Sequence, residues 1–109
     1  MTLDEVQEII RLQSGLHLTC TNDHGISLKQ ALVVPQKVSV IVRMVKNGRV
    51  NEQKEAVWLV GKEDADNGYR IVMREDGCVF GLASTGFPTD EHLVLVGWHG
   101  SVKSAFLSM

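Results

Sequence analysis

The chain has 109 residues, of which 44% are hydrophobic and 22% charged, and its formal net charge is −2. This is the composition of one ordinary globular domain spanning residues 1–109, able to bury a core without disulfides or a structural metal, and it excludes a histone-like basic protein and an acidic disordered tail. No apolar run approaches the ~20 residues of a bilayer span. The first residues are acidic where a secretory leader would be basic. The expected setting is therefore the cytoplasm, away from any membrane, with Cys20 and Cys78 as reduced thiols.

Thr2 followed three residues later by Glu5 is a capping box, and Leu3, Val6, Ile9 and Ile10 form an apolar stripe at helical spacing. These features predict an amphipathic N-terminal helix that stops at Ser14-Gly15. From Leu16 the period changes to two: Leu16, Leu18 and Cys20 alternate with His17, Thr19 and Thr21, which predicts a strand with one buried face. A turn at Asn22 to Gly25 precedes a second alternating run, Ile26, Leu28, Leu32 and Val34, expected to end at Pro35. A third strand follows from Val38 to Met44.

Asn47-Gly48 is a strong hairpin signal. A two-residue turn there sets Lys46 opposite Arg49, Val45 opposite Val50 and Arg43 opposite Glu52. Val57 and Leu59 then fall on the side of Val38 and Val40. The same register sets Val40 against Glu55, so a bulge or bend is expected partway along, with the tip projecting past the core. Asp76-Gly77 predicts a second hairpin, Tyr69 to Ala83, with Met73 facing Phe80 and Ile71 facing Leu82, all on one side. Leu93 to Trp98 is apolar on both faces, as in a strand covered on both sides. Residues 101–109 read as a short helix capped by Ser101 or as a final strand, with Val102, Ala105 and Phe106 favouring the helix. The fold class is α+β: a strongly curved antiparallel sheet, like an open barrel, of about six or seven strands, with the N-terminal helix packed on one face or plugging the barrel.

No local motif fixes a reaction, and the reading leans away from an enzyme. His17, Cys20 and His24 lie close in sequence, but His17 and Cys20 fall on opposite faces of a strand and no second ligand pair follows, so no metal is assigned. From Glu63 to Gly68 the chain resembles a calcium loop, yet with Asp64 as first ligand the glycine stands one place early. Ser84, Thr85 and the cysteines sit in no nucleophile elbow. Gly81 to Gly86 has no Lys-Ser/Thr after it and is not a phosphate loop. No cofactor is expected. A pocket between the N-terminal helix and the concave face of the sheet would draw on His17, Phe87 and His99.

Charge by segment is more informative than the total. Residues 29–62 carry Lys29, Lys37, Arg43, Lys46, Arg49, Lys54 and Lys62 against only Glu52 and Glu55, a net charge of +5. Residues 1–28 carry −3 and residues 63–92 carry −5. The basic segment coincides with the first hairpin, so residues 37–62, with Arg43, Lys46, Arg49, Lys54 and the aromatic Trp58, form the expected interaction surface. The favoured reading is a non-catalytic binding domain, homodimeric or bound to an acidic protein. A small-molecule-binding or catalytic α+β domain is the alternative. Nucleic-acid binding ranks third, because the ribbon lacks interleaved aromatics and its flanks are acidic.

Overall fold

The computed structural model describes residues 1–22, 25–63, 68–76, 79–84 and 93–109, with Leu16 described by its backbone alone. Helix α1 (Leu3–Ser14) starts as expected. The Thr2 hydroxyl accepts from the Glu5 amide at 3.3 Å and the Glu5 carboxylate accepts from the Thr2 amide at 3.3 Å, so two otherwise unpaired amides are satisfied.

The strand expected from Leu16 to Thr21 does not form. Gly15–His17 is a 3₁₀ turn, and Thr21 makes one isolated bridge, to Ser27. The carbonyls of Leu18 and Cys20 accept from the amides of Lys29 and Leu28 at 3.0 and 2.9 Å, so the segment satisfies its backbone on a neighbouring helix rather than on a strand. That helix, α2 (Leu28–Ala31), replaces the alternation expected from Ile26, and a second capping box between Ser27 and Gln30 starts it.

Strand β1 (Leu32–Lys46) runs straight through Pro35. Its register with β2 (Arg49–Lys62) passes from Leu32↔Gly61 to Gln36↔Leu59, so the missing proline amide falls where no ladder bond is made. β3 (Arg70–Arg74), β4 (Phe80–Ser84) and β5 (Leu93–Gly100) follow, and α3 (Val102–Leu107) ends the chain with Ser101 Oγ accepting from the Ser104 amide at 3.1 Å. There are thus five strands among the described residues, not six or seven, because the first two expected runs became turn and helix. The sheet is also closed rather than open: sequential neighbours pair antiparallel, and β5 joins β1 in parallel through Val40↔Leu93 and Ile41↔Val94.

Both hairpin registers agree with the spacing of the turn residues, including Val45↔Val50, Met73↔Phe80 and Ile71↔Leu82. Asn47 and Gly48 adopt φ of 53° and 74°, the two left-handed positions that a type I′ turn requires. Val40 opposes Glu55 in register, with the Glu55 carboxylate 3.8 Å from Arg74, and the irregularity of this hairpin falls instead between Leu32 and Gln36.

Two apolar layers share the sheet. Val40, Val57, Val72 and Ala83 pack with Val38, Val42, Leu59, Leu93, Leu95 and Trp98, a set drawn from all five strands that fills the barrel interior. On the outside, Val6 and Ile10 of α1, Leu28 of α2 and Val102, Ala105 and Phe106 of α3 cover Trp58, Val60, Ile71, Met73, Phe80 and Leu82. The helices therefore roof the barrel and do not plug it. The Gln13 side-chain carbonyl accepts from the Val102 amide at 3.1 Å and ties α1 to the start of α3. Gly81 lets β4 and β5 approach: a Cβ there would stand 2.5 Å from the Gly97 carbonyl and 2.6 Å from the Trp98 ring. β5 is covered less fully than its apolar sequence predicts, and Val96 remains 55% exposed. No helix among the described residues is long and apolar enough to cross a membrane.

Candidate interaction surface

β1 and β2 are much longer than the barrel they enter. β5 reaches β1 no further along than Ile41, and β3 reaches β2 no earlier than Val57, so among the described residues 42–56 pair only within their own hairpin. At ~3.3 Å per residue this arm extends roughly 17 Å past the last barrel pairing. It accounts for extents of 43 × 30 × 22 Å in a chain whose core is a small barrel.

The arm carries the charges and apolar groups that folding does not use. Met44, Val45 and Val50 are exposed, the last two at 76% and 64%. Lys46 and Arg49 face each other across the last pair before the turn, where like charges repel. Arg43 and Glu52 neutralise one another at 3.1 Å. Lys46, Arg49 and Lys54 have no ion pair among the described residues. The alternation of the strands divides this surface: Lys46 and Arg49 share a face with Met44 and Asn51, whereas Arg43 and Lys54 share the other with Ile41, Val45 and Val50.

Trp58 does not belong to the exposed surface. It is 6% exposed and lies under the helices, so it is a core residue, and of the expected set only the arm's cations remain accessible. The Lys37 ammonium stands 5.7 Å above the Trp58 ring and 3.0 Å from the Glu75 carboxylate. The Arg74 guanidinium lies 5.5 Å from the Trp98 ring and also meets Glu55. These contacts clamp the base of the arm to β3 and β5. They absorb Lys37, at one end of the expected surface, into the body.

The expected ligand pocket falls partly outside the described residues. His17 is half-buried in the 3₁₀ turn and His99 is exposed on β5, with no carboxylate bonded to either among the described residues. Phe87 lies outside the described residues, as do His24, Cys78 and residues 64–67 of the calcium-like loop. Cys20 is a free thiol. Among the described residues no three His, Cys, Asp or Glu side chains come together as metal ligands. One concavity among the described residues is an open groove of about 300 Å³ between α1 and the start of β1, lined by Gln7, Ile10, Val33, Val34 and Pro35. The spacing of Ile10 from Leu3 marks that helix face as apolar, but the strand side of the groove forms only because β1 continues through Pro35, a residue that predicts a strand end.

The chain matches no protein-family model, no curated protein and no solved structure.

Proposed function

We propose that this protein is a small non-catalytic interaction domain whose projecting arm binds an acidic protein surface, belonging either to a second copy or to a different protein. The observation that carries this reading is the arm tip. Val45 and Val50 are more than half exposed on the face that also carries Lys54, Lys46 and Arg49 stand on the opposite face, and none of these three cations has an ion partner among the described residues. In an isolated monomer an apolar pair with no second layer and a facing pair of cations contribute little to stability. Against a partner they supply what interfaces use: an apolar centre and a charged rim that steers association.

The test is charge reversal. Lys46→Glu with Arg49→Glu is expected to slow association and to remove most of its salt dependence, read by sedimentation velocity for self-association and by retention of acidic proteins on the immobilised chain. Unchanged association and retention in the variant would refute the reading. Fluorescence anisotropy with DNA and RNA at low salt separates it from nucleic-acid binding, which predicts saturation and a steep loss of affinity as salt rises.

A further inference from the structure

We propose that the outer edge of β2 in the arm pairs with the same edge of a second copy, antiparallel and about a two-fold axis at Gln53, so that the two arms form one continuous ribbon. This rests on the reading of the arm as the binding element and commits it to a second copy of this chain. Among the described residues nothing pairs with that edge from Arg49 to Ala56, and the stretch contains no proline, no glycine and no break in register. A regular edge of this kind is a template for another strand. Which backbone groups face outward follows from the turn. A two-residue turn at Asn47-Gly48 makes Lys46 and Arg49 a hydrogen-bonded pair, and the pairs then alternate, so the amides and carbonyls of Val50, Glu52, Lys54 and Ala56 point away from β1. The corresponding edge of β1 offers only Arg43 and Val45, since β5 already pairs at Ile41.

That alternation restricts the register. Two copies of this edge exchange hydrogen bonds only where outward residues oppose outward residues, so the two-fold axis passes between a residue and its own copy. Centred on Glu52 or on Lys54, the pairing sets like charges directly against each other. Centred on Gln53, it engages every outward group: Val50 opposes Ala56 and Glu52 opposes Lys54, each pair made twice by symmetry. The axial glutamines can bond to one another through their amides. Val50, Glu52, Lys54 and Ala56 are exposed and share one face of the arm. Glu52 accepts from Arg43 Nε through Oε1, which leaves Oε2 for the partner's Lys54, a cation with no ion pair among the described residues of its own chain. β3 sets the length of the new ladder. Arg74 holds the place opposite Val57, so the incoming strand stops with its Val50 against Ala56.

Variants of the full chain test the pairing by sedimentation velocity over a concentration series, with near-UV circular dichroism and the melting temperature as controls of folding. The wild type is expected to dimerise. Lys54→Glu sets like charges opposite Glu52 twice and is expected to weaken the dimer at least about tenfold, as is Glu52→Lys. Both reversals in one chain restore unlike charges across the seam, and association is expected to return to within about threefold of the wild type. Lys54→Pro removes an outward N–H that the hairpin itself does not use, and is expected to abolish the dimer, where Lys54→Gln, which loses only the charge, weakens it less. A wild type that stays monomeric, single reversals without effect, or a double reversal that restores nothing overturns the proposal. If Lys54→Pro and the reversals leave intact a dimer that Lys46→Glu with Arg49→Glu dissolves, the edge is wrong and the arm reading stands. If none of these variants changes a dimer that does form, both fall.

Discussion

The barrel and the arm are two halves of the same hairpin, built from the same kind of sequence and serving opposite ends. Val38, Val40 and Val42 alternate along β1, and Met44 continues the row. Val40 is wholly buried, Val42 half-buried, and Met44 exposed. The side chains keep their period while the second layer runs out beneath them. Apolar alternation therefore reports that a strand exists and not where its packing ends. An apolar residue beyond that end needs a cause other than the fold.

The sharpest way to break the comparison is to hollow out the body. Phe106 is fully buried under the barrel's outer face, and Phe106→Ala removes a large side chain that neighbouring backbone cannot fill. The expected cost is about 3–5 kcal/mol in chemical denaturation, a large fraction of the stability of a domain this size. A loss under 1 kcal/mol would mean that α3 does not roof the barrel as described.

Overpacking comes next. Gly81→Ala forces a methyl group to within 2.5 Å of the Gly97 carbonyl and onto the Trp98 ring, where backbone has to move. The expected loss is about 1–3 kcal/mol. The shift of Trp98 should also disturb its contact with Arg74, visible as a change in tryptophan fluorescence that Gly97→Ala, whose Cβ would meet only His99 Nε2 at an ordinary 3.9 Å, does not reproduce.

Much of this body was readable in the residues. The Thr2 and Ser101 caps and the Asn47-Gly48 and Asp76-Gly77 signals are local chemistry, so helix starts and hairpin registers follow from a few neighbouring side chains. The two early segments depart from their alternation for a related reason. Ser27 and Gln30 stand at capping-box spacing, a local signal as strong as that of Thr2 and Glu5, and it overrides the alternation of Ile26 and Leu28. Barrel closure was not legible at all. The parallel contact of β5 with β1 joins residues more than fifty positions apart, and nothing in either strand encodes the partner. The burial of Trp58 was equally hidden, because it depends on which sheet face the helices choose. At the candidate site the arm's charges were legible from segment sums, whereas the groove required knowing that Pro35 lies within a strand.

The converse of hollowing the body is removing the arm. Joining Val42 to Gln53 through Asn-Gly deletes residues 43–52 and keeps a two-residue turn across an existing pair. A two-stranded ribbon without a packed face is marginal by itself, so monomer stability is expected to change by no more than about 1 kcal/mol in urea titration. Self-association is expected to disappear. A barrel that fails to fold without the arm would assign these residues a structural task and remove the reason to look for a partner.

The smallest effect lies in the charge pair that bridges the arm. Arg43 and Glu52 meet at 3.1 Å with about half of each side chain exposed, so water and salt compete for both. A double-mutant cycle on Arg43→Gln and Glu52→Gln, in a variant held monomeric by Lys54→Pro, is expected to return a coupling of about 0.2–1 kcal/mol at low salt that fades near 1 M. The same cycle in the associated wild type distinguishes where the pair sits. A rim contact leaves the coupling small and salt-sensitive, while burial by the second copy raises it and shields it from salt. With Glu52 between Arg43 and the partner's Lys54, pairing along the β2 edge predicts the larger, salt-resistant value, and equal couplings in both states would move the contact off that edge to the face of Lys46 and Arg49.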